Sequence, residues 1–230
     1  MRVLITAGPT REAIDPVRFL SNYSTGAMGA ALVAEALRRR HHVTVISGPV
    51  EVSWPRAARV VLIESAAQME RALWRAAVRA DVVIMAAAVA DFRPQHRAAA
   101  KLSRRGRLTL HLEATPDLIG RLPRRTGQVI VGFAVETGQV LARARTKLRT
   151  KRLDLLLAQR AEASGAPFGR RKVAAWLLRR GGIAQALGRV GKPSIARRLF
   201  EKIESLHRQQ STVHSKRSQK LRMTGTAADC

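Results

Sequence analysis

Four short runs of β-branched and apolar residues, Val3–Thr6, Val43–Ser47, Val60–Ile63 and Val82–Met85, are separated by segments with helical spacing. That alternation constrains the fold more than any other feature. Strands buried on both faces read as continuous apolar runs, and helices between them supply the crossovers that parallel pairing requires. The first helix is predicted over Thr25–Arg39, with Leu32, Val33, Ala36 and Leu37 on one face. The second begins at Ser65, placed as an N-cap, and runs to about Arg79. Val129–Phe133, a helix over Gln139–Lys151 and a strand over Asp154–Ala158 continue the pattern. Val173–Leu178 and Ile183–Leu187, joined by Gly181-Gly182, read as a β-hairpin. The implied architecture is α/β, a doubly wound Rossmann-like parallel sheet with a β-hairpin extension.

Other segments carry weaker signals. Leu108, Leu110 and Leu112 alternate as in a half-buried strand, and Thr115-Pro116 reads as the opening of a short helix. Ser194, after Pro193, is placed as the cap of a last helix ending near Leu206. His41-His42 reads as a solvated turn. One domain over 1–206 is expected, followed by a basic, aperiodic and disordered tail over 207–230.

The charge excludes less than its size suggests. The net value is +26, and the 42 basic residues comprise 34 Arg and 8 Lys. The charge is spread along the chain, and aromatics are only 4%. A dedicated nucleic-acid arm concentrates charge and adds aromatic stacking. Drift toward arginine is the better reading, leaving only nonspecific adhesion to nucleic acid. No apolar run reaches transmembrane length, and the short run after Met1 is no signal-peptide core. The single Cys230 allows no disulfide framework, and the histidines lack metal spacing. A cytoplasmic location is expected.

Two features point to chemistry. About eighteen residues separate the first strand from the first helix, far more than a simple βα turn needs. They end in Ser24-Thr25-Gly26-Ala27-Met28-Gly29, small residues at a helix N-terminus, where backbone N–H groups and the helix dipole suit a phosphate. In an arginine-biased chain the first three lysines are Lys101, Lys147 and Lys151, and the last two share a helix face. Lysine offers a compact, mobile charge where arginine offers a broad planar fork, so its retention points to phosphoryl chemistry. Taken alone, each feature is equally compatible with tight helix packing and a solvated helix face.

Read together, GPTREAIDPVRFLSNYSTGAMG, AAAVADFRP at 86–94, ATPDLI at 114–119, VGFAVET at 131–137 and the Lys147/Lys151 pair resemble bacterial phosphopantothenate–cysteine ligases, in order and approximate spacing. The resemblance covers about residues 1–205. It implies a coenzyme A biosynthesis enzyme that joins L-cysteine to 4'-phosphopantothenate with CTP through an acyl-cytidylate. It further implies Mg2+ with the nucleotide, a homodimer and a possible separate decarboxylase partner. No FMN is expected, because Met1 opens directly on the first strand rather than on a flavin domain. Ser24, Gly26 and Gly29 would cradle the triphosphate. Met85, Ala86, Ala87, Asp91, Thr115, Pro116, Asp117, Leu118 and Phe133 would form the base and ribose pocket, with part of the phosphopantothenate site. Lys101, Lys147 and Lys151 would bind phosphates, Asn22 would serve the acyl-nucleotide intermediate, and Arg18 would partner it; the catalytic set is Asn22, Lys101 and Arg18.

Three departures bear on activity. Ala27 stands where the family loop commonly has lysine, Gln159-Arg160 where it has asparagine and an acid, and 160–190 is arginine-rich and diverged. An inactive family member is therefore one alternative. A dinucleotide-dependent reductase is another, suggested by the opening strand–loop–helix, although Pro9 stands where backbone should approach a pyrophosphate.

Overall fold

A computed structural model describes residues 1–104, 106–161, 168–169 and 171–225, with backbone alone from 213 onward. Six parallel strands are β1 (Arg2–Ala7), β4 (His42–Ser47), β5 (Arg59–Leu62), β6 (Val82–Met85), β9 (Val129–Glu136) and β10 (Leu155–Arg160). Antiparallel β11 (Val173–Arg179) and β12 (Gln185–Val190) extend the sheet beyond β10. The order is β12-β11-β10-β9-β6-β1-β4-β5. The chain winds outward in one direction from β1 and then in the other from β6, so the topological switch lies between those two strands. Ligands of open α/β sheets bind in the crevice there, beyond the carboxyl ends of the strands.

Side-chain alternation along the strands divides the core into two layers. Val3, Ile5, Val131, Leu155 and Leu157 face α1 (Ala27–Arg38) and α4 (Lys192–Gly225), where Leu32, Val33, Leu199 and Phe200 are buried. Leu4, Val83, Ile130 and Leu156 face α2 (Ala66–Ala77) and α3 (Val140–Thr150), against Met69, Leu73, Ala144 and Leu148. Each of the larger side chains among them contributes about 1.5–3 kcal/mol relative to exposure. Ser65 caps α2 as expected, in a reciprocal capping box with Gln68. That arrangement satisfies two otherwise orphaned N–H donors.

Several expectations are corrected. The alternating leucines do not make a strand over 108–112. Leu108 and Leu110 are exposed, and only Leu112–Ala114 pairs, as β8 with β7 (Phe92–Pro94). Alternation predicts a half-buried strand only where a core exists to receive it. Thr115 caps no helix, because its hydroxyl donates to the Ala90 carbonyl and a turn follows. Helix α4 starts at Lys192, so Ser194 lies inside it, and it continues to Gly225 rather than stopping near Leu206. Residues 207–224 contain neither glycine nor proline, so nothing in the backbone breaks the helix where the apolar stripe ends. His41 is no solvated turn. Its Nε2 lies 3.1 Å from Glu204 Oε1 and its ring packs near Phe200, joining the end of α1 to α4. Burial lowers its pKa, with the N-terminal ammonium acting in the same direction and Glu204 opposing.

Candidate active site

The long connection after β1 folds back as a small hairpin, β2 (Arg11–Ala13) with β3 (Phe19–Ser21), which the sequence pattern did not reveal. Its polar residues bolt it to the segments around the crevice. Thr10 Oγ1 accepts the Ala90 N–H, and Thr10 N–H donates to the Ala88 carbonyl. Buried Glu12 accepts the Ala66 N–H at the start of α2. Asp15 accepts N–H groups from Val17, Arg18 and Leu102, and its Oδ2 is 2.7 Å from Arg18 Nη2. Burial raises the Asp15 pKa, but those N–H donors and the Arg18 guanidinium outweigh it and hold the carboxyl at about 2.

The AAAVAD string needs small residues because it runs against that first turn. Ala88 N–H donates to the Gly8 carbonyl, Ala87 N–H to Thr6 Oγ1, and Pro9 and Ala88 form a parallel bridge. The crevice beyond β6 is thereby lined by backbone and methyl groups.

The result is a cavity of about 490 Å3 at the switch point. Of the residues expected in the site, it brings together Asn22, Ser24, Gly26, Met85, Ala86, Ala87, Asp91, Thr115, Pro116, Asp117, Leu118, Phe133, Lys147 and Lys151. Asn22 Nδ2 donates to the Ala88 carbonyl at 2.9 Å, which leaves its second N–H available. Lys151 Nζ lies 3.0 Å from Asp117 Oδ1, and Asp117 also accepts the Gly120 N–H. Burial, then the neighbouring Lys151, lowers the Lys147 pKa against Glu136, Asp91 and Asp117. A desolvated ammonium next to a second one is an electrostatic demand for an anion.

Three expected residues lie elsewhere. Gly29 lies in the first turn of α1, on the face packed against β1, where an added Cβ would fall 2.3 Å from the Ala7 Cβ. Its lack of a side chain allows that close helix–strand packing. Arg18 turns its guanidinium to Asp15 and to the Leu102 carbonyl at 2.6 Å. It holds the strand of chain that carries Lys101. Lys101 itself is exposed and outside the cavity of this single chain. Conversely, Gln159, Phe168, Gly169 and Lys192 line the cavity without having been assigned to it. Lys192 is one of only 8 lysines among 42 basic residues, so the rarity of lysine marks it in the sequence as it marks the first three.

Among the described residues, no group of three or more His, Cys, Asp or Glu could hold a metal ion, and no helix is long and apolar enough to cross a membrane. The family model for the DNA/pantothenate metabolism flavoprotein C-terminal domain matches residues 1–206. The chain belongs to that family. It is 40% identical over 210 residues to the coenzyme A biosynthesis bifunctional protein CoaBC of Bacillus subtilis (strain 168), covering 90% of this chain and 52% of the relative. This family member thus spans about half the length of the curated relatives it matches. The crystal structure of a C-terminal domain of CoaBC superposes with a TM-score of 0.76 at 33% identity, covering 90% of this chain and 96% of that one. A mutant of Cab2 in complex with phosphopantothenate-cysteine gives 0.73 at 17% identity, covering 94% and 88%, a likeness of fold.

Proposed function

We propose that this chain is a phosphopantothenate–cysteine ligase acting in coenzyme A biosynthesis with CTP. One observation carries the reading: residues from five separate motifs, spread from Asn22 to Lys151, converge on one cavity at the switch point of the sheet. Membership of the family and likeness to CoaBC support the same pathway.

The reaction has two steps. The phosphopantothenate carboxylate attacks the α-phosphorus of CTP, forming an acyl-cytidylate and releasing pyrophosphate. The cysteine amine then attacks the activated carbonyl and CMP leaves. Lys147 and Lys151 supply positive charge at the α3 end of the cavity, and the ordered backbone of Ala86–Ala88 shapes the floor beneath the nucleotide. Charge fixed where it develops in the transition state lowers the barrier without later reorganisation. Asn22, anchored on Ala88, keeps one N–H for the oxyanion of the second step. Being neutral, it stabilises that oxyanion without holding the anionic substrate too tightly.

Mg2+ would enter with the nucleotide. Asp91 is the cavity carboxylate without an ion-pair partner among the described residues, since Asp117 is engaged by Lys151. A single carboxylate with phosphates and waters is a usual Mg2+ arrangement, and the ion would neutralise phosphate charge there.

The homodimer is part of the proposal. Val17, Phe19, Tyr23, Phe92, Leu108 and Leu112 are exposed on the β2–β3 and β7–β8 hairpins and the chain beside them. An exposed apolar surface of this kind marks an association site. Lys101 lies on the segment tied to the same hairpin, so assembly would bring it toward a cavity that the single chain leaves without it. A cytoplasmic location and a separate decarboxylase partner complete the reading.

A dinucleotide-dependent reductase is disfavoured by the Pro9–Ala88 bridge, which occupies the first turn where a pyrophosphate would approach backbone. Sustained, multiple-turnover pyrophosphate release from CTP that needs both phosphopantothenate and cysteine tests the ligase reading. NADPH binding with no such release would replace it.

A further inference from the structure

Arg124 lies outside the main cavity, yet its guanidinium fastens two segments that line it. The residue stands just beyond the turn over 118–121 and folds back on the end of α3. Its Nη2 donates to the Lys151 carbonyl at 2.5 Å and reaches the Ile119 carbonyl at 3.4 Å, while Nη1 donates to the Arg152 carbonyl. The last carbonyls of a helix have no partner within it, so a basic side chain is stabilising there. Lysine could cap one of them, whereas the planar fork of arginine binds several at once. Partial burial lowers the Arg124 pKa, with Arg180 and Arg152 acting in the same direction and Asp154 opposing. Asp154 itself accepts the Ile130 N–H, and Arg124 makes no ion pair among the described residues. Carbonyls, not a counter-charge, set its place.

The same two segments meet again on the cavity side. Lys151 Nζ lies 3.0 Å from Asp117 Oδ1, and Asp117, Ile119 and Lys151 all line the main cavity. Behind them is a smaller cavity of about 390 Å3, lined by Gly120, Leu122, Arg124, Thr150, Lys151 and Arg152. Lys151 therefore borders both spaces, with Asp117 on its side chain and Arg124 on its carbonyl. The turn passes close under that carboxylate, since a Cβ added to Gly120 would fall 2.4 Å from Asp117 Oδ2. An anionic ligand that draws the ammonium away from Asp117 breaks the inner link. The outer link through Arg124 stays, so the ammonium moves while its backbone does not.

We propose that Arg124 is a positioning residue, which holds the backbone of Lys151 against the turn after Asp117 and so delivers the Lys151 ammonium to a phosphate-bearing substrate. This rests on the phosphate role that the ligase reading gives Lys151. Arg124 touches no substrate and acts through Lys151. Positioning of this kind matters because a displacement of about 1 Å can cost roughly 100-fold in rate.

The test is a double-mutant cycle on the whole chain, read by calorimetry with inorganic pyrophosphate, a probe that needs no turnover. Arg124→Gln should weaken pyrophosphate binding about tenfold in the wild-type background and have no further effect in Lys151→Gln. A helix cap with a purely structural role would not show that dependence on Lys151. Arg124→Lys keeps the charge and loses the fork, so it should weaken binding as Arg124→Gln does. Should Arg124→Gln fail to fold, Arg124→Lys in the same two backgrounds completes the cycle. Unchanged affinity in Arg124→Gln overturns the proposal, and so does equal loss with and without Lys151. Wild-type affinity in Arg124→Lys overturns it as well, because charge at a distance would then suffice. A wild-type chain without pyrophosphate affinity removes Lys151 from phosphate binding and the proposal with it. Wild type that binds pyrophosphate with the expected coupling but does not bind CTP would sink the ligase reading and leave the role of Arg124 standing.

Discussion

Gly29→Ala isolates the contact that sets α1 on the sheet. The new Cβ would lie 2.3 Å from the Ala7 Cβ and 3.3 Å from the Ala7 Cα, with Trp54 at 3.5 Å behind. Ala7 ends β1 and is fully buried, so it cannot retreat, and relief comes only from lifting the start of α1. Ordinary carbon contacts need about 3.5–4.0 Å, so the shift is of order 1 Å. Overpacking on this scale costs about 1–3 kcal/mol. The same shift moves Ser24 and Gly26, which line the cavity, and a 1 Å misplacement can cost roughly 100-fold in rate. Urea denaturation of the variant should show the stability loss, and steady-state kinetics should show the rate loss beside it. Wild-type stability would refute the packing role of Gly29. A stability loss with unchanged kinetics would show that α1's N-terminus does not position a substrate.

Asn22→Asp should slow amide formation more than pyrophosphate release, because a new negative charge opposes the oxyanion; rapid quench should then reveal accumulated acyl-cytidylate, and equal slowing of both steps would remove Asn22 from that role. Lys101→Arg should lower turnover by about 100-fold despite keeping the charge, whereas exposed Lys202→Arg should be neutral; matching rates for the two variants would mean that Lys101 takes no part. Asp15 has a folded pKa of about 2, below its ordinary 3.8, so its stabilising contribution is present above pH 3.8 and is lost as pH falls through about 2. Thermal melts of Asp15→Asn should therefore depend less on pH across that window than wild type, and parallel profiles would show that Asp15 does not hold the hairpin.

The parallel strands were legible because burial on both faces leaves an uninterrupted apolar run, as in Val82–Met85. Helix α2 was legible because Ser65 and Gln68 carry a local capping code. The β2–β3 hairpin was not, because its strands have three residues each and are held by Thr10, Glu12 and Asp15 reaching residues far along the chain. Leu108 and Leu112 show the opposite failure, a local pattern with no core to meet it. In the site, Met85 at the end of β6 and Ser24 on the connection from β1 to α1 could be placed in one crevice from topology alone. Lys192 could not, because its burial depends on α4 docking beside α1 across the sheet. The close approach of Gly29 to Ala7 and the bond from Arg18 to the Leu102 carbonyl join residues far apart in the chain, so sequence spacing does not reveal them.

The most direct test of the ligase reading is product analysis with the purified chain, CTP, 4'-phosphopantothenate and L-cysteine. The reading predicts pyrophosphate and CMP in equal amounts with phosphopantothenoylcysteine, and pyrophosphate without the cysteine conjugate only in a single burst when cysteine is withheld. CTP bound and unconsumed with all substrates present, or CDP formed in place of CMP, would contradict it.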